Sequence, residues 1–207
     1  MDMTLLNDSM LATHLLGMAL GFGIAVLADL LAVRAVIRPL DDRDIEALEI
    51  MHRLVLMGLV LLWSSGATLL WLRTGFDLDR FSPKLMTKVG VVVMLTVNAL
   101  AIGKIGLPTM RAYQSWRFGD LPLPRRLQLS ALATISLACW ISALTLGVFS
   151  QLKTLQWEIL SLYVGLVYLF ALVTAVLAAS LTPIIAMIVR LRENRPRLFR
   201  PLPNFRG

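Results

Sequence analysis

The sequence predicts an all-α polytopic membrane bundle of five transmembrane helices, with the N-terminus outside and the C-terminus in the cytoplasm. Three observations carry this expectation. Long uncharged stretches occupy most of the 207 residues: 19 between Leu54 and Leu72, 26 between Leu127 and Leu152, and 31 between Ile159 and Val189. A bilayer core requires about 20 apolar residues per helix. The chain is 57% hydrophobic with a mean hydropathy of +0.75, and its 16% charged residues are too few to cover a soluble surface of this size. Finally, Lys and Arg fall unequally on the two sides that five alternating spans define.

The first span, residues 11–33, is expected to be retained. Met1 to Met10 carry Asp2 and Asp8 but no cation, whereas a cleaved signal peptide opens on positive charge. Within it Gly17, Gly21, Ala25 and Asp29 recur every four residues. Such a ladder of small residues lets a neighbouring helix approach closely. The second span, 54–72, is preceded by DDRDIEALE, read as an exposed cytoplasmic helical start that enters the bilayer near His52. It carries Trp63, Ser64, Ser65 and Gly66 at mid-depth and Trp71 at an aromatic-belt position.

The third span, 85–107, opens with Ser82 as N-cap and Pro83 in the first helical position, and is expected to end before Pro108. The fourth, 127–150, follows the proline-bearing GDLPLP loop and is lined by Ser130, Thr134, Ser136, Cys139, Ser142 and Thr145. These hydroxyls are suited to bond back to their own helix or across to a neighbour. Cys139, the only cysteine, can form no intrachain disulfide and reads as a small packing residue. The fifth span, 159–182, belongs to an apolar run of about 46 Å as an ideal helix, where Pro183 is expected to mark a kink or the passage into the interface. Residues 1–190 thus form one five-helix transmembrane domain, followed by a basic, proline-rich cytoplasmic tail at 191–207.

Charge placement sets the predicted orientation. Fifteen Lys and Arg fall on one side, from Arg34 and Arg38 through Arg125 and Arg126 to the six arginines between Arg190 and Arg206. Only Arg73, Arg80, Lys84, Lys88 and Lys153 fall on the other. The positive-inside rule puts the richer side in the cytoplasm, as for a plasma (inner) membrane protein. The net charge of +7 is thereby explained by topology and lipid headgroups, with no nucleic-acid partner implied. The partners expected are the lipid bilayer, anionic lipids at the arginine-rich tail, and a homo-oligomer or larger membrane complex.

Ionisable groups inside spans are costly and mark sites. His14 lies on nearly the same face of the first span as Gly21 and Ala25, with Asp29 rotated by about 60°. Depth sorts the interruptions into an outer pair, His14 and Lys88, and an inner trio, Asp29, His52 and Lys104, with Asn98 between them. Asp29 has Lys104 or Arg34 as candidate partners. A bis-histidine haem within one subunit is excluded, because His14 and His52 differ in depth by roughly 20 Å. Haem therefore requires one histidine with a different second ligand, or ligands from another subunit. No zinc motif, phosphate loop, nucleophile elbow or Cys–His pair is present.

The stretches HLLGMALGFG and SPKLMTKVGVVVMLTVNAL resemble two small bacterial families, the inner-membrane copper-resistance domain and the membrane-embedded protoporphyrinogen oxidase. Here a histidine starts the first helix, and a lysine opens a third that runs on to an asparagine. The resemblance implies His14, with Lys84 or Lys88, as an outer-side haem, porphyrin or metal site. Unlike those families, this chain has no Trp-x-Gly after His14, no arginine–aromatic–histidine helix end, and five spans.

Three readings follow. One is a haem- or metal-associated redox protein using His14 and Lys88. The second is an accessory or assembly subunit held by its small-residue face and basic tail. The third is a small proton-coupled transporter whose path is formed by Asp29, His52, Asn98 and Lys104.

Overall fold

A computed structural model describes residues 3–193; the expected tail at 191–207 lies almost wholly outside them. The described residues form the all-α bundle expected, with five helical spans long and apolar enough to cross a membrane. Helix α1 is Met3–Ile37 and α2 is Asp42–Thr74. The third span, Pro83–Ala112, joins α3 (Pro83–Ala101) to α4 (Leu107–Ala112). Helices α5, Leu123–Val148, and α6, Trp157–Glu193, complete the bundle.

The turns are set by local chemistry. Asp41 caps α2 in a reciprocal capping box: its carboxylate accepts from the Asp44 N–H at 2.8 Å, and the Asp44 carboxylate accepts from the Asp41 N–H at 3.2 Å. Gly75 ends α2 in the left-handed conformation, φ 61°, and its N–H donates to the Trp71 carbonyl. Ser82 caps α3 as expected, accepting from the Leu85 N–H at 3.3 Å, with Pro83 in the first turn.

Neither interior proline stops its helix, and the expected end of the third span before Pro108 is corrected. A proline lacks an N–H and its ring crowds the carbonyl four residues back. The chain absorbs this through a π-helical turn, Ile102–Gly106, in which the Leu107 N–H bonds the Ile102 carbonyl, and the helix then runs on to Ala112. Helix α6 likewise continues through Pro183 to Glu193. The Ala179 carbonyl, four residues before Pro183, lies 3.5 Å from the Thr182 hydroxyl, which donates to it.

Packing follows the small residues. The expected ladder on α1 is buried at Gly17, Gly21 and Ala25. Gly58 of α2 meets it so closely that a Cβ there would lie 2.8 Å from the Gly21 backbone. A Cβ on Gly21 would in turn fall 2.3 Å from the Trp140 ring of α5. Trp140 is fully buried, stacks on Phe22 and joins Leu59, Leu95 and Leu146 in the principal core. Helix α5 lies between α3, α6 and α1, whereas α2 packs chiefly along α1. Helix α6 buries Leu160, Ala171, Ala175, Ala179 and Ala186 and leaves most of its other large aliphatic side chains outward. Without a hydrophobic drive between helices in lipid, such close small-residue contact supplies the packing energy.

The hydroxyl face of α5 behaves as expected in part, since the buried Ser142 hydroxyl has no hydrogen-bond partner among the described residues. Thr134 and Thr145 donate to carbonyls four residues back, at 2.9 and 2.8 Å. Cys139, fully buried, places its Sγ 3.0 Å from the Tyr168 hydroxyl of α6, so it packs across helices as well as within the core.

Candidate functional site

One end of the bundle gathers the start of α1, the α2–α3 connection and the α5–α6 connection. Here α2 is shaped to receive His14. Gly66 has no side chain, and a Cβ there would meet the imidazole Cε1 at 3.4 Å. His14 Nδ1 lies 3.0 Å from the Ser65 hydroxyl, which is 1% exposed and itself donates to the Leu61 carbonyl. A hydroxyl has one hydrogen to give. With that hydrogen on Leu61, Ser65 is placed to accept from Nδ1–H in the Nδ1-protonated tautomer, in which the lone pair is on Nε2.

Lys84, Lys88 and Arg73 lie at this end of the bundle. Lys84 and Lys88 stand one turn apart on α3, at the last turn of α5. Lys84, 8% exposed, donates from Nζ to the Phe149 carbonyl at 2.7 Å and so caps the negative end of that helix. Lys88 reaches over Gly147, where a Cβ would lie 4.0 Å from its ammonium. The charges of Lys88 and Arg73 act on His14, and those of Lys84 and Arg73 act on Lys88. Among the described residues no carboxylate pairs with Arg73 or Lys88. Of the expected outer pair, His14 is in contact with Ser65, and the charges of Lys88 and Arg73 reach it without a hydrogen bond between them. Of the two lysines, Lys84 is engaged with a backbone carbonyl, while Lys88 makes no hydrogen bond among the described residues.

The expected inner trio is dispersed. His52 of α2 abuts the π-helical turn, and a Cβ on Gly103 would come within 2.7 Å of its Nε2. Lys104, the next residue, is exposed. Asp29 is half-buried and forms no ion pair with Lys104 or Arg34. Arg34 instead lies 3.9 Å from Asp44. Asn98 is buried and donates to the Leu132 carbonyl at 3.0 Å, joining α3 to α5. An amide bonded in this way holds two helices together.

The spacing of the histidines agrees with the depth argument. His14 meets α2 at Ser65, thirteen residues from His52 on the same helix, or about 20 Å at the α-helical rise. One porphyrin iron cannot bridge them. No group of three His, Cys, Asp or Glu side chains suited to a metal ion forms among the described residues. Ser65 and Gly66 were visible in the sequence only as a small polar interruption of the second span. Their pairing with His14 depends on the α1–α2 crossing that Gly17, Gly21 and Gly58 create. In comparisons with known proteins, no family model, curated protein or solved structure matches the chain.

Proposed function

We propose that the chain is a bacterial-type inner-membrane protein whose His14 end, facing outward, binds an anionic cofactor, with haem or a related porphyrin the class that its donor set suits. The observation that carries this reading is a histidine oriented by Ser65 beside two cations, Lys88 and Arg73, that have no carboxylate partner among the described residues. Hydrogen bonding through one ring nitrogen is how proteins orient a ligating histidine and raise the basicity of the other. In this reading His14 would hold the iron through Nε2, and Lys88 with Arg73 would neutralise carboxylates on the cofactor. Haem bound there supplies one-electron chemistry. The outward placement rests on the arginine-rich opposite end, by the positive-inside rule.

The absorption spectrum of the purified protein tests the proposal. A Soret band, present on isolation or on addition of haemin and lost in His14→Ala, is the expected result. A protein that stays colourless through a haemin titration, or one whose band survives His14→Ala, overturns it.

A further inference from the structure

Among the charges within the spans that form no ion pair among the described residues are two of opposite sign, Asp29 and Lys104. Arg34 and Arg38 engage Asp44, Arg80 engages Asp77, Arg111 engages Glu49, and Arg190 engages Asp120. Asp29 and Lys104 have neither an ion pair nor a side-chain hydrogen bond among the described residues. Ionisable groups in lipid are costly and ordinarily find a partner.

Their depths match. Asp29 precedes the last residue of α1, Ile37, by eight positions, and Lys104 precedes the last residue of α4, Ala112, by eight. Both spans run in the same direction, so each charge lies about 12 Å in from the same end of the bundle. They do not meet within one chain, because α1 packs along α2 while the third span packs on α5. The π-helical turn also directs Lys104 away from the bundle: Gly103 faces His52 of α2 and Gly106 faces Leu132 of α5. Lys104 and Ile105 are left exposed between them. Asp29 sits on the border of the buried face of α1, flanked by the exposed Leu30 and Val33.

We propose that the chain forms a homo-oligomer in which Asp29 of one copy pairs with Lys104 of the next. Symmetry about an axis along the membrane normal keeps every residue at its own depth, so only charges at matched depth can meet across copies. Asp29 and Lys104 satisfy that condition with opposite sign. Snorkelling towards the interface accounts for a long lysine standing alone, but a short carboxylate does not reach that far.

Charge exchange tests the pairing. Subunits are counted by single-molecule photobleaching in lipid vesicles for wild type, Asp29→Lys, Lys104→Asp and the double exchange. Wild type is expected to be oligomeric. Each single variant should raise the monomer fraction at least tenfold, and the double exchange should restore the wild-type count. Cysteine pairing gives a readout that spares the fold. Asp29→Cys and Lys104→Cys chains, mixed, should form a disulfide-linked heterodimer, while the native Cys139, fully buried, stays out of reach. A monomeric wild type, a double exchange as dissociated as the single variants, or absence of the mixed crosslink overturns the proposal.

Discussion

At the end of the bundle that holds the α1–α2 turn, Arg38 lies 2.8 Å from Asp44 and Arg111 lies 3.1 Å from Glu49, while Arg190 pairs with Asp120. At the opposite end Arg73 and Lys88 stand near His14 with no carboxylate partner among the described residues. The end with more cations is thus the one where several are neutralised by acids on neighbouring elements. There the arginines fasten α1 to α2, α4 to α2, and α6 to the loop before α5. The end with fewer cations leaves two unpaired around an oriented imidazole. A count of charges and the pairing of those charges thus describe the two ends differently.

If that contrast holds, the two ends should respond to different perturbations. The largest effect is expected from Asp44→Ala. This removes the acceptor of two arginines together with half of the α2 capping box, and the carboxylate is nearly buried. Charge-assisted hydrogen bonds and a cap of this kind are together worth about 2 kcal/mol. Thermal unfolding in detergent should show that loss, with ligand binding at the His14 end unchanged. A stable Asp44→Ala protein would break the structural half of the comparison.

Lys88→Met should do the reverse. It removes one of two unpaired cations and keeps the aliphatic stem over Gly147. Haemin affinity measured by absorbance titration should fall about tenfold, or about 1.4 kcal/mol, with little change in melting temperature. A large stability loss with unaltered affinity would instead make Lys88 a second helix cap beside Lys84. The smallest effect is expected from Arg190→Ala. Its side chain is 55% exposed, so the pair with Asp120 is worth less than about 1 kcal/mol. A markedly greater loss would sharpen the comparison by showing that α6 depends on this tether.

Parts of this arrangement were legible residue by residue. The four-residue spacing of Gly17, Gly21 and Ala25 predicts a close-packed face, and that face is buried. Ser82-Pro83 predicts the start of α3, and the cap forms. Pro108 misled because the usual rule, that proline ends a helix, assumes that the freed carbonyls can turn to water. In a membrane they are re-satisfied locally, here by the π-helical turn, and the helix continues. The site was half legible. His14 and Lys88 stand out as ionisable residues in apolar surroundings, but nothing in the second span singles out Ser65 as the partner of His14. Asp44 looked like one more acid in an exposed run, yet it is the carboxylate on which Arg34 and Arg38 converge.

By itself the sequence determined the class and number of the spans. Those follow from hydropathy and length, which are properties of each segment taken alone. It also determined which residues are out of place in lipid. Only the tertiary structure decided which of those residues find partners, because pairing depends on how closely helices approach and on which faces they present. Gly58 set against Gly21 brings Ser65 to His14. The turn after α1 brings Asp44 to Arg38. The same packing, by holding α1 off the third span, leaves Asp29 and Lys104 with no partner among the described residues.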